Sequence, residues 1–182
     1  MLLTDRFGQS DFEAALRKPN KPLSKKAIHR RFMDQLAGEL ESITSAAKQS
    51  FATATDEAHH AEHRYDTFKL ESSFLARGQA KRVEELTGAL DSLQMLPLKA
   101  LHDTSPIQLG ALVRLKAGDG NTRALLFGSA AGGETITVNG EEITIVTAGS
   151  PLGQAVLGKS VGDAFDIEIG GATHTFTVLS VV

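Results

Sequence analysis

Residues 24–51, SKKAIHRRFMDQLAGELESITSAAKQSF, and residues 68–95, FKLESSFLARGQAKRVEELTGALDSLQM, decide the fold. In the first, Phe32, Leu36, Leu40, Ile43, Ala47 and Phe51 recur at steps of three or four, the spacing that lines one face of a helix. In the second, Phe68, Leu75, Val83, Leu86, Leu90 and Leu93 fall close to one seam. The last four follow the three-four-three rhythm of a coiled coil. Each stripe is narrow, so neither helix is buried all round. Two such stripes, separated by a polar break at Thr53 to His60, are best satisfied by pairing antiparallel as a helical hairpin. At ~1.5 Å per residue, roughly 30 residues per limb give a rod of about 45 Å with a charged tip. Ser24 reads as the N-cap of the first limb. The second ends near Met95, because Pro97 lacks an N–H and restricts the residue before it.

Beyond Pro106 the periodicity changes from helical to alternating. Gly110 to Lys116 and Arg123 to Phe127 flank Gly118-Asp119-Gly120-Asn121; Glu134 to Val138 and Glu141 to Val146 flank Asn139-Gly140; Ala164 to Ile169 and Thr173 to Val181 flank Gly170-Gly171. Each is a hairpin signal, Asn-Gly the strongest, since its residues tolerate positive φ. Between the fourth and fifth strands, Ser150 to Gly158 has helical spacing, with Pro151 in the first turn and a glycine after the end. The reading is an α+β chain of two domains. Residues 1–23 form an extension, weakly structured or a short helix capped at Ser10 and ended by Pro19. Residues 24–96 form an antiparallel coiled-coil hairpin and 97–106 a linker. Residues 107–182 form a small antiparallel β-domain with one short helix.

The composition fits this frame. The 182 residues are 41% hydrophobic, enough for ordinary globular cores. The absence of cysteine excludes disulfides, thiolate metal sites and cysteine nucleophiles. No apolar run approaches the length of a membrane span, and no signal-peptide core follows Met1, so a cytoplasmic protein without a membrane partner is expected. Formal net charge is −3, unevenly placed: residues 101 to 182 carry 4 Lys/Arg against 8 Asp/Glu. From Arg17 to Arg31 there are seven basic residues (Arg17, Lys18, Lys21, Lys25, Lys26, Arg30, Arg31) and no acidic one. Read plainly, this is the solvated start of a long helix. The sharper expectation is that Lys25, Lys26, Arg30 and Arg31 contact an acidic partner such as nascent RNA or an acidic protein. Cations at a helix N-terminus oppose its macrodipole by a few tenths of a kcal/mol each, so local stability does not account for them.

Ser150 to Asp163, SPLGQAVLGKSVGD, resembles the signature of the C-terminal, FKBP-like β-domain of the bacterial transcript-cleavage factors GreA and GreB. The order of a helical hairpin followed by that domain matches, and Tyr65 and Ser73-Phe74 stand at the family's spacing. The resemblance covers about residues 25 to 182. It implies a protein that is not an enzyme alone. Such a protein docks on RNA polymerase, inserts its hairpin into the secondary channel and lends tip carboxylates to a Mg²⁺ shared with the polymerase, which then hydrolyses backtracked RNA. No cofactor is held stably and no small-molecule substrate is implied. By resemblance, Ser150 and Pro151 belong to the loop that docks on the channel rim, where Gly149 replaces an acidic residue of related factors. Read without the resemblance, they are an N-cap and a first-turn proline.

The tip departs from the family pattern. An Asp seven and a Glu four residues before the Tyr become Ala58 and Ala61. The nearby carboxylates are Asp56, Glu57 and Glu62, the candidates for catalysis inside the polymerase, with Asp56 and Glu57 as transient Mg²⁺ ligands. Asp56 and Glu57 also read as first-turn residues of the second helix, favouring its positive end. A binding-only regulator that occupies the channel is the alternative, and a non-transcriptional interaction protein lies further off. His59 and His63 are four apart and with Asp56 offer a zinc geometry, although exposed tip histidines are the commoner case. Prolyl isomerase activity would rest on fold analogy alone, and the β-domain offers only Phe127, Phe165 and Phe176 as a pocket lining.

Overall fold

The computed structural model describes residues 24–57, 65–102 and 104–182, with side chains for 24–48, 77–102 and 104–182. The segment before Ser24, and Glu62, His59, His60 and His63 at the tip, lie outside the described residues. So do the side chains of Asp56, Glu57 and Tyr65.

Helix α1 spans Lys25–Glu57 and α2 spans Tyr65–Gln94. Ser24 caps α1: its Oγ accepts from Ala27 N at 3.3 Å and its carbonyl from Ile28 N at 3.1 Å. The polar stretch expected to break the hairpin at Thr53 is still helical to Glu57. Asp56 and Glu57 therefore occupy the last turn of α1, and the reading that put them in the first turn of the second helix is corrected. No glycine or proline interrupts the chain from Glu39 to Glu57, so propensity carries the helix through.

Six strands follow: β1 Leu112–Ala117, β2 Thr122–Gly128, β3 Thr135–Val138, β4 Glu141–Thr147, β5 Ala164–Ile169 and β6 Ala172–Val181. The short helix α3, Pro151–Val156, lies between β4 and β5. All three expected hairpins form. In the tightest, Asn139 and Gly140 take φ of 55° and 82°, the mirror-image turn that matches strand twist.

The sheet order is β3-β4-β2-β1-β6-β5; four of its five pairings are antiparallel, in line with the mainly antiparallel sheet expected, and β2 pairs with β4 in parallel. The connection after β2 carries the chain past one strand position. The tight β3–β4 turn then folds β4 back into the gap beside β2.

Alternation sorts the strand residues onto two faces, and each face has its own core. On one, Val113, Leu115, Phe127, Phe176 and Val178 pack with Val156 of α3. On the other, Leu112, Leu126, Ile136, Val138, Ile143 and Ile145 pack against Ile28, Phe32, Leu36, Leu86 and Leu93 of the hairpin. The hairpin base and the sheet thus share a core, and Leu96 and Leu98 in and beside the expected linker join it. At Gly110 (φ +83°) a Cβ would lie 1.8 Å from Pro97 O, so this connection fits closely against the start of β1. Burial fades along the rod. Phe32, Leu36, Leu86 and Leu93 are completely buried beside the sheet, while Leu40, Ile43 and Val83, farther toward the tip, are half-buried, because two helices alone cover only a seam.

At a bulge between Arg114 and Leu115, β6 shifts register and Leu179 is left unpaired. Ser180, opposite Arg114 on the hairpin side of the sheet, buries an Oγ with no hydrogen-bond partner among the described residues.

Leu126→Ala is expected to cost about 3 kcal/mol in chemical denaturation, whereas Leu40→Ala, on the half-covered part of the rod, costs about 1 kcal/mol. Because the first residue lies in the shared core, helix and sheet signals move to the same new midpoint. Ser180→Ala is expected to raise stability by about 1 kcal/mol with an unchanged denaturant slope, since it removes an unpaired buried hydroxyl.

Candidate partner-docking site

The segment from Thr147 to Asp163 is a loop and helix in which each conspicuous residue has a structural task. Ser150 has extended dihedrals (φ −91°, ψ 152°) and caps α3: its Oγ accepts from Gly153 N at 3.0 Å and donates to Thr147 O at 2.9 Å. Thr147 O also accepts from Ser150 N at 3.0 Å. With its hydroxyl engaged twice and no histidine or carboxylate beside it in these contacts, Ser150 is not an activated nucleophile.

Gly153 is required by close approach, since a Cβ there would lie 1.9 Å from Thr147 O. Pro151 fills N1, where no N–H is needed. After α3, Gly158 takes φ +77° and its N–H reaches Ile107 O at 2.9 Å, while Ile107 N donates to Lys159 O at 2.7 Å. Asp163 closes the segment by accepting from Ser160 N at 2.8 Å. Around α3 itself the exposed residues are Ala148, Gly149, Pro151, Gln154, Leu157 and Gly158, with Leu157 48% exposed. Such a surface offers a rigid, uncharged shape for docking and no chemistry of its own.

The basic candidates separate. Lys25 is half-buried and its Nζ donates to Lys99 O at 2.5 Å and Val182 O at 2.8 Å; burial pushes its pKa below the usual lysine range. Lys26, Arg30 and Arg31 are exposed. The same end of the hairpin is fixed by His29, whose Nε2 lies 2.8 Å from Leu93 O and so carries the proton.

Sequence reasoning missed the polar clamp further along. Glu134, just before β3, accepts from Gln35 Nε2 of α1 at 3.2 Å and from Arg82 Nη2 of α2 at 3.5 Å. Arg82 also donates to Glu39 at 2.7 and 3.0 Å. These residues lie 52 and 99 positions from Glu134, and no local pattern announces the contact. Across the sheet, Arg114 and Glu141 form a two-pronged pair at 2.8 and 3.0 Å that holds the Glu141 carboxyl below its ordinary range. Among the described residues no group of three or more histidine, aspartate or glutamate side chains could hold a metal. No helix among them is long and apolar enough to cross a membrane.

No family model matches the sequence, and no curated protein matches it. Among solved structures, the chain is similar to Gre-type transcription factors. Gfh1 of Thermus aquaticus is 20% identical, with 87% of this chain and 96% of that one covered and a TM-score of 0.36. The GreA factor homolog Gfh1 of Thermus thermophilus is 17% identical over 82% and 94% at a TM-score of 0.34. A GreA/GreB elongation factor of Nitrosomonas europaea is 16% identical over 53% and 78% at 0.30. The superpositions are loose, and the account of the fold rests on this chain's own hairpin, sheet order and caps.

Ser150→Ala is expected to lower stability by about 1 kcal/mol through loss of the cap. Gly153→Ala should cost more, since its methyl group collides with main chain, and thermal melts of the two variants give that order.

Proposed function

We propose that this chain is a Gre-like regulator of transcription elongation, acting in the cytoplasm, which binds RNA polymerase and places its hairpin tip in the secondary channel. The observation that carries the reading is the reach of α1. From Leu36, the last completely buried residue of the helix among those whose side chains are described, the helix continues to Glu57, an arm of about 30 Å at ~1.5 Å per residue. It ends in the adjacent carboxylates Asp56 and Glu57. A long narrow arm tipped with oxygen donors suits delivery of charge into a confined site, and the rigid Ser150–Pro151 loop suits docking outside it.

Within that reading the protein is not an enzyme alone. Hard carboxylate oxygens are the donors that Mg²⁺ takes. A second Mg²⁺ in the polymerase site would stabilise the attacking and leaving oxygens of RNA hydrolysis. Asp56, Glu57 and Glu62 are the candidate donors, with Asp56 and Glu57 as the transient Mg²⁺ ligands. Ala58 and Ala61, where the resemblance implies carboxylates, favour a second reading in which the protein occupies the channel without promoting cleavage.

The test is RNA cleavage in stalled, backtracked elongation complexes over a range of Mg²⁺, comparing the wild type with Asp56→Ala/Glu57→Ala. Shortening of the RNA by the wild type, lost in the double variant while binding to polymerase persists, is the expected result. If neither protein cleaves but both displace a channel-binding factor, the second reading replaces the first. Absence of polymerase binding removes both.

A further inference from the structure

Two segments distant in sequence, 24–33 and 93–102, meet at the end of the hairpin opposite its tip, joined by the contact of Lys25 with Lys99 O and of His29 with Leu93 O. Together they hold Lys25, Lys26, Arg30, Arg31 and Lys99 and no acidic residue. Lys25 is committed to two carbonyls. The side chains of Lys26, Arg30, Arg31 and Lys99 are exposed and make no ion pair among the described residues. Elsewhere Lys81, Arg82 and Arg114 each have a carboxylate within 4.0 Å, whereas Lys48, Arg77, Lys116, Arg123 and Lys159 have none among the described residues but are scattered in the sequence. Asp34 stands three and four residues beyond Arg31 and Arg30, at helical-neighbour spacing, yet pairs with neither.

We propose that Lys26, Arg30, Arg31 and Lys99 form a surface that binds nucleic acid through its phosphodiester backbone, duplex in preference to single strand. The residue types decide the ligand. A duplex presents one negative charge per ~1.7 Å of axis, a denser field than a protein surface offers, and four unpaired cations release counterions when they meet it. Lys26 and Arg30 are one turn apart on the same flank of α1 and Arg31 lies further round, so the cations fan across a convex surface that follows a backbone.

The patch contains no Phe, Tyr or Trp, and Phe32, Phe127, Phe165 and Phe176, the phenylalanines whose side chains are described, are buried, so bases find no such ring to stack on. Contacts confined to phosphates carry no sequence preference. This surface is separate from the Ser150–Pro151 loop and from the tip, and it does not depend on the polymerase reading.

Fluorescence anisotropy of the full chain with a short labelled DNA duplex, and with one of its strands, tests this with no polymerase present. With four phosphate contacts, log K should fall with log salt at a slope of about −3.6, a loss of roughly 10²-fold between about 50 and 200 mM salt. Lys26→Ala/Arg30→Ala/Arg31→Ala/Lys99→Ala keeps the carbonyl that Lys25 uses, and its circular dichroism should match the wild type. This variant should lose at least ten-fold in duplex affinity at low salt and about three units of slope. Unchanged binding by the variant, a salt-independent interaction, a preference for the single strand, or binding of polyglutamate in place of either nucleic acid overturns the proposal.

Discussion

The apolar layer between the hairpin base and one face of the sheet holds the molecule together, because neither part is complete without it. Two antiparallel helices bury only the seam between them, and Leu40, Ile43 and Val83 remain half-covered where the sheet has ended. The sheet has the converse problem. On its first face α3 spans only Pro151–Val156, and on its second Leu112, Leu126, Ile136, Val138, Ile143 and Ile145 would form a broad exposed apolar patch. Ile28, Phe32, Leu36, Leu86 and Leu93 cover that patch and gain the third wall that makes their own burial complete.

Apolar burial is strong but non-directional, so it seats the hairpin without fixing its heading. Direction comes from the polar contacts at the margins. At one end Lys25 reaches Lys99 O and Val182 O and His29 reaches Leu93 O; at the other, Gln35 and Arg82, one from each helix, grip Glu134. Each is partly exposed, and surface pairs of this kind are worth about 0–1 kcal/mol. Their value lies in geometry, because a rotation of the hairpin on the sheet would break both ends at once. The far end of α1 magnifies any such rotation, so small local contacts set where the tip is held.

The local elements were legible in the sequence because their signals are local. The stripe through Phe32, Leu36, Leu86 and Leu93, the Asn139-Gly140 turn and the Ser150-Pro151 cap each depend on residues a few positions apart, and each appears where its spacing places it. What was not legible depends on distance along the chain. The parallel β2–β4 pair follows from the path of a connection, and the grip on Glu134 joins residues with no shared pattern. Ile28 is an intermediate case. It extends the Phe32 and Leu36 rhythm one turn toward the N-terminus, but a helix pair alone gives no reason for the seam to reach that far. Only the sheet supplies one. The boundary at Glu57 escaped for a different reason, since threonine and aspartate suggest a break while the adjacent alanines and the lack of glycine favour continuation.

The ends of α1 run against the rule that stabilises helices. Its first turn holds Lys25 and Lys26 and no acid, and its last turn holds Asp56 and Glu57 and no base, so both ends oppose the macrodipole. A helix arranged for its own stability would carry the opposite charges. The cost is tolerable because the shared core anchors α1 near its start and the coiled-coil seam supports it beyond. Of the basic residues at that start, Lys25 alone is accounted for by contacts within the fold, and it is the one that is half-buried. Lys26, Arg30 and Arg31 face outward with nothing in the described fold to balance them. The polyanion proposed for the base would supply the balance that these three side chains lack.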